Sequence, residues 1–198
     1  MRILVDMDET ICDLLTPWLE IYNNIYDDNL TIDEITTYDL RDHVKEEAKE
    51  YIHGFLDRFR LFKDLEIYPG VAEYLEKLNK EHEIYIVTYA PSFFAVVDKM
   101  NWIAEHLPFL REDQVIFTNK KHLIKADVII DDNPEYLNNF IGFKIVMERP
   151  YNKDKVIPPA VYIPHNDWEY VYKIIKSLDY LEQEVRNWTD VLPGIAIL

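Results

Sequence analysis

Residues 2–10, RILVDMDET, decide how the rest of the chain is read. Ile3, Leu4 and Val5 make a short apolar run of the kind that forms a strand buried on both faces. The run leads straight into Asp6, Asp8 and Glu9. Carboxylates at the end of a buried strand are costly unless cations meet them there. The remaining sequence is therefore searched for what could neutralise them.

Further short apolar runs lie at 83–90, 114–118, 126–132, 143–147 and, more briefly, 160–164. Helical patterns separate them at 71–81, 93–107 and 134–140. This alternation predicts an α/β fold with a parallel sheet covered on both faces. One gap breaks the rhythm. After the first strand, Leu14, Leu15, Trp18, Leu19, Tyr22, Ile25 and Tyr26 recur at helical spacing, and a second helical pattern runs from 44 to 59. An insertion there leaves the sheet at the carboxyl end of its first strand, where α/β sheets bind ligands. The expected division is an α/β core at 1–13 and 69–178, a helical cap at 14–68 and a tail at 179–198. The tail reads as a helix with an apolar end, suited to packing on the body or on a second copy in a homodimer.

The 198 residues suffice for one core with a small appended unit. Acidic residues number 37 against 21 basic ones, a net charge of −16, which argues against nucleic acid polymers and anionic membranes as partners. A local cation can still admit a small anion. No apolar run nears the roughly 18 residues needed to span a bilayer, and no signal peptide precedes the first strand. One cysteine, Cys12, leaves no internal disulfide and fits a reducing, cytoplasmic setting. Only four glycines occur, and none belongs to a Gly-rich phosphate loop. Any phosphate site must be built otherwise.

In a parallel sheet the carboxyl ends of the strands share one edge. The predicted strands bring to it Asp6 and Asp8, then Thr88, then Asn119, Lys120 and Lys121, then Asp131 and Asp132. Carboxylates, a hydroxyl and an ammonium on one edge are what phosphoryl transfer requires. Each residue also has a plainer reading. Asp6 could be a turn residue, Thr88 a strand hydroxyl, one lysine a solvated charge, and Asp131 and Asp132 helix caps. Their coincidence on one edge favours a site.

These residues also carry a family resemblance. DMDET at 6–10 resembles the DxDxT signature of the haloacid dehalogenase-like (HAD) hydrolases. Thr88, Lys121 ten residues before Asp131, and the IIDD ending at Asp132 resemble that superfamily's later motifs, in order. The resemblance implies a three-layer α/β/α Rossmannoid sheet with a small helical C1-type cap. More narrowly, VDMDET, TNKKHLIKADVIIDDNPEYL, ERPYN and DWEYV resemble the 5'(3')-deoxyribonucleotidase branch. Two positions depart from it: Glu9 stands where glycine is frequent, and Leu14 where an aromatic is frequent. The departures leave the base open.

The resemblance implies a phosphoric monoester hydrolase that uses Mg2+ and acts on a small phosphate monoester, a deoxynucleoside monophosphate first of all. Asp6 would be the nucleophile that forms an aspartyl-phosphate. Asp8 would protonate the leaving alkoxide and then activate water, with its pKa raised by carboxylate neighbours and partial burial. Thr88 would hold a phosphate oxygen and Lys121 would balance charge. The metal would be held by Asp6, the backbone carbonyl of Asp8 and one of the acidic pair, Asp132 first and Asp131 next. Trp18, Tyr22, Tyr38 and Phe55 could face a base, or could simply be the core of the cap. The six acids between Asp27 and Asp42, with Arg41 the one base among them, read as a solvated face. Rival readings are a related phosphatase for a sugar phosphate, a phosphoacceptor domain, and a non-catalytic nucleotide-binding module. Motif order speaks against the second, because the lysine precedes the acidic pair.

Overall fold

A computed structural model describes residues 1–191. Its centre is a six-stranded parallel sheet in which β1 (Arg2–Val5) lies between β4 (Glu83–Thr88) and β6 (Val128–Asp131). Outside them run β5 (Val115–Phe117) on one edge and β7 (Phe143–Met147) and β8 (Ala160–Ile163) on the other. All six expected strands are present; β4, β5, β6 and β8 are slightly shorter than their runs, β7 matches its run and β1 gains Arg2.

Alternation along β1 sends side chains to both faces. Ile3 and Val5 join a core with α3 (Val71–Asn79) and α6 (Trp168–Val191) through Leu75 and Trp168, whereas Leu4 and Ile129 meet Leu137 of α5 (Pro134–Asn139). Helix starts follow local chemistry. Ser92 accepts a hydrogen bond from the Ala95 amide to open α4 (Phe93–His106), and Asn133 caps α5 just before Pro134. Gly70 adopts φ +81 to turn the chain into α3, a conformation that a side chain disfavours.

Between β1 and α3 the chain leaves along β2 (Cys12–Asp13) and returns along β3 (Glu66–Ile67), an antiparallel pair not apparent in the sequence. The intervening insertion contains α1 (Leu15–Tyr26) and a run of short turns. The expected helix at 44–59 is reduced to one α turn, α2 (Phe55–Arg58), among 3-10 turns. Its apolar stripe is nonetheless buried: Val44, Ala48, Ile52, Phe55 and Leu56 all face inward. Side chains of α1 bond backbone groups of this segment, and one of these groups, the Ile52 carbonyl, is one that a helix would use internally. The Lys45 amide donates to Tyr22 Oη, and Trp18 Nε1 donates to the Ile52 carbonyl, both at 2.9 Å. Gly54 further weakens the segment as a helix, by roughly 1 kcal/mol relative to alanine.

The insertion sits over the carboxyl edge of the sheet and touches the core beyond its root. Arg60 pairs with Asp98 of α4, Ser92 donates to Asp57 at 2.5 Å, and Tyr38 meets the Tyr151 ring edge-on at 5.7 Å. Helix α6 covers the start of the tail, while residues 192–198, its expected apolar end, lie outside the described residues. No described helix is long and apolar enough to cross a membrane.

Candidate active site

Asp6 continues the line of β1, its amide donating to the Ile130 carbonyl at 2.9 Å. The chain then folds back on itself. The Met7 carbonyl accepts from the amides of Thr10, Ile11 and Cys12, and Glu9 takes a left-handed φ of +54. This tight turn aims Asp6 and Asp8 off the same strand end.

Beside it, β6 ends in Asp131 and Asp132. One carboxylate oxygen from each of Asp6, Asp131 and Asp132 lies within 4.8 Å of the others, and all three residues are buried. Lys121, fully buried in the turn after β5, donates to Asp6 Oδ1 at 2.5 Å and Asp131 Oδ2 at 2.6 Å. The Tyr136 ring covers its ammonium. Burial opposes the charge on Lys121, but the two carboxylates outweigh it and its pKa rises. Its neighbour Lys120 is exposed, as is Asn119, so one lysine of the pair serves the cluster.

The two adjacent aspartates differ. Asp131 has both oxygens engaged, by Lys121 and by the Asn133 amide at 2.8 Å. Asp132 receives the Tyr151 hydroxyl at 2.5 Å on Oδ2 and faces Thr10 Oγ1 at 3.5 Å through Oδ1. Burial pushes the Asp132 carboxyl well up, and the charges of Asp131 and Asp6 push it further.

Asp8 is tied to a residue that the sequence reading missed. Lys99 of α4 is fully buried and donates to Asp8 Oδ2 at 2.5 Å, Thr88 Oγ1 at 2.8 Å and the Tyr89 carbonyl at 2.7 Å. The other Asp8 oxygen, Oδ1, is buried with no partner among the described residues. Burial raises the Asp8 pKa; Lys99 opposes this and the Asp6 charge adds to it. The direction is the expected one, but burial leads and the carboxylate neighbours come after. A signal for Lys99 was present in the sequence. It stands with Ala95, Trp102 and Ile103 on the apolar stripe of α4, where an unpaired lysine would not be tolerated.

The loop after β7 was noted only as a familiar string, yet it braces the cluster. Tyr151 meets Asp132 as above, and Asn152 donates to the carbonyls of Asp132 and Met147, both at 2.8 Å. Arg149 forms a buried pair with Glu9 at 2.9 Å.

A cavity of about 460 Å3 opens above these groups. Asp6, Asp8 and Asp132 lie at its floor; Trp18, Tyr38 and Leu40 of the insertion line its roof. Of the four aromatics singled out earlier, Trp18 and Tyr38 line the cavity, while Tyr22 and Phe55 are buried within the insertion. The acidic stretch at 27–42 contributes Ile35, Tyr38 and Leu40 to the cavity and none of its acids.

The sheet order and the cluster define a haloacid dehalogenase-like hydrolase. Solved structures agree on the fold. A HAD-like family hydrolase from Streptococcus pneumoniae superposes with a TM-score of 0.62 at 13% identity, over 87% of this chain and 97% of that one. A HAD hydrolase from Bacillus subtilis, solved bound to magnesium, gives 0.55 at 15% identity over 88% and 98%. The chain belongs to the family described as 5' nucleotidase, deoxy (pyrimidine), cytosolic type C, whose profile matches residues 1–178. It is 34% identical over 178 residues to a 5'(3')-deoxyribonucleotidase of Clostridium acetobutylicum, covering 89% of this chain and 96% of the relative. A Bacillus subtilis protein of the same description is 34% identical over 155 residues, 77% and 88% of the two chains. The chain is thus a HAD-type phosphatase of the 5'-nucleotidase kind.

Proposed function

We propose that this protein is a magnesium-dependent 5'(3')-deoxyribonucleotidase, working through an aspartyl-phosphate in a cytoplasmic setting. The observation that carries the reading is the polarity of the cavity: clustered carboxylates at the floor, with buried ammoniums behind them, and mainly apolar and aromatic side chains at the roof. A phosphate would go to the first and a base to the second. Two relatives described as 5'(3')-deoxyribonucleotidases support the nucleotide.

The donor set suits a divalent cation. Three clustered carboxylates, Asp6, Asp131 and Asp132, share one ammonium group among the described residues, Lys121, which leaves a deficit of two positive charges when all three are ionised. All-oxygen donors favour Mg2+. Asp6, the Asp8 carbonyl and Asp132 would hold it, because both oxygens of Asp131 are already engaged. When bound, the ion would offset the charge of the phosphate and of the carboxylates around it.

Asp6 attacks phosphorus in line, and the bond to the ester oxygen breaks. The unpartnered Oδ1 of Asp8, a carboxyl whose pKa burial raises, would give a proton to that oxygen. Asp8 then takes a proton from the water that cleaves the aspartyl-phosphate. Thr88 accepts from Lys99, and its hydroxyl, which makes only a long 3.5 Å bond to the Tyr89 carbonyl, would turn to a phosphate oxygen. Lys121 fixes the orientation of Asp6. The insertion acts as a cap that shields the intermediate from bulk water.

The test is phosphate release from a panel of deoxy- and ribonucleoside monophosphates and sugar phosphates, with and without Mg2+. Release that depends on magnesium and favours deoxynucleotides, and falls at least about 1,000-fold in Asp6→Asn, is expected. Turnover confined to sugar phosphates would overturn the substrate, and turnover unchanged in Asp6→Asn would overturn the mechanism.

A further inference from the structure

Glu9 stands outside the chemistry just described, yet its side chain is among the most fully bonded in the molecule. Oε1 accepts from the amides of Leu14 and Leu15, both at 2.8 Å, where α1 begins and two orphan donors need a partner. Oε2 accepts from Tyr68 Oη at 3.2 Å and from Arg149 Nε at 2.9 Å. The four donors come from three places: the outgoing arm of the cap, the returning arm, and the loop at the end of β7 in the core.

Arg149 is itself held from several sides. It donates to the Glu9 carbonyl, to the Glu148 carbonyl at 2.8 Å and to Asn166 Oδ1 at 2.8 Å. Its guanidinium also lies over the Tyr68 ring. Glu9 and Arg149 are both more than nine-tenths buried. The pair therefore sits at the root of the two-stranded stalk and clasps both arms to the core.

We infer that Glu9, through Arg149, is a positioning residue that sets the angle of the cap, and so governs how firmly the cavity roof engages the leaving group of a nucleotide. This rests on the nucleotidase reading above. At the floor, Asp6 and Asp132 continue the core strands β1 and β6, and Asp8, in the turn that carries Glu9, is held from the core by Lys99 of α4. The roof, Trp18, Tyr38 and Leu40, is carried entirely by the segment that Glu9 anchors. Loosening the clasp should weaken the hold on the base and spare the phosphate site.

Glu9→Gln keeps an acceptor for Leu14 and Leu15 and removes the ion pair; Arg149→Met removes it from the other side. Both variants and their combination are assayed on a deoxynucleoside monophosphate and on para-nitrophenyl phosphate, which is too short to use the whole roof. Each single variant should raise KM for the nucleotide about tenfold with kcat within threefold, and leave kcat/KM for para-nitrophenyl phosphate within threefold. The double variant should be no worse than the worse single one. Tyr68→Phe, which removes one hydrogen bond and no charge, should show the same split at about threefold, and it serves as the test if Glu9→Gln does not fold. Equal losses on both substrates would place Glu9 in support of the catalytic turn and overturn the inference. Unchanged kinetics with only a lower melting temperature would do so too, and so would additive single effects. Wild-type protein that hydrolyses para-nitrophenyl phosphate and no nucleotide would sink the nucleotidase reading itself, whereas a wild type that hydrolyses both, with variants showing no split, would sink only this inference.

Discussion

The floor and the roof of the cavity are built on opposite principles. At the floor, the main groups are charged, largely buried and bonded to one another, two of the links across long sequence separations: Lys121 reaches Asp6, and Lys99 reaches Asp8. At the roof, Trp18 and Leu40 are placed by packing within the insertion and Tyr38 against Tyr151 of the core, with few polar bonds. A floor of this kind tolerates no loss of a partner, because a buried charge left alone is costly. A roof of this kind tolerates change gradually, because apolar contacts are many and individually small. On the function proposed above, the floor would fix the reaction and the roof would grade the substrates.

Lys121→Met should break the floor most severely. It leaves Asp6 and Asp131 facing each other without their shared cation. Activity should fall by about three orders of magnitude, and the metal-free protein should lose about 3–5 kcal/mol in denaturant unfolding. Adding Asp131→Asn should restore much of the stability and none of the activity. If stability held in Lys121→Met alone, the floor would not be the charge-balanced unit described here.

Lys99→Met should have the next largest effect, about 100-fold on kcat. Lys99 opposes the rise of the Asp8 pKa, so its removal lets that pKa climb further. The acid step needs protonated Asp8; the alkaline limb of the kcat profile should therefore move to higher pH. A fall in kcat with an unmoved limb would mean that Lys99 acts on Thr88 instead. At the roof, Trp18→Ala should raise KM for nucleotides about tenfold, as expected for loss of one stacking surface, and leave para-nitrophenyl phosphate turnover within threefold. Equal effects on both substrates would erase the distinction between floor and roof.

The two regions were unequally legible in the sequence. The strands of the floor follow from short β-branched runs, and Asp6, Asp8, Thr88, Lys121, Asp131 and Asp132 all stand at strand ends or in the turn that follows one. Those positions are local properties, so reading them required no knowledge of packing. Lys99 lies in the middle of a helix, and its meaning depends on which face of α4 meets the sheet edge. Glu9 and Arg149 are 140 residues apart, and nothing local to either announces the other. At the roof, the apolar spacing at 44–59 identified the buried residues correctly but not the backbone. Tyr22 and Trp18 compete for its hydrogen bonds, a tertiary effect that periodicity does not carry.

The smallest effect expected is on thermal stability against pH, and it separates the regions by sign. At the floor, burial raises the pKa of Asp8 and Asp132, and that of Asp131 to about 7. The folded metal-free chain therefore holds protons that the unfolded chain releases between the ordinary carboxylate value near 4 and about 7. Unfolding releases protons in that window, so stability falls as pH rises through it, at up to about 1.4 kcal/mol per pH unit for each proton. For a chain of this size that corresponds to about 2–4 °C per kcal/mol. In the insertion the sign is reversed. Asp39 is held low by Arg41, and Glu34 by Thr31, so they stabilise the fold above the ordinary carboxylate range and lose that contribution as pH falls below it. Melting curves in chelator should thus show a maximum where the two windows meet, near the ordinary carboxylate value of about 4. Mg2+ should lift the neutral side of that maximum, because a bound cation favours the ionised floor, and leave the acid side unchanged. Asp131→Asn should flatten the neutral side in chelator. A neutral side that magnesium does not move would mean that the excess protons reside elsewhere than at the carboxylate cluster.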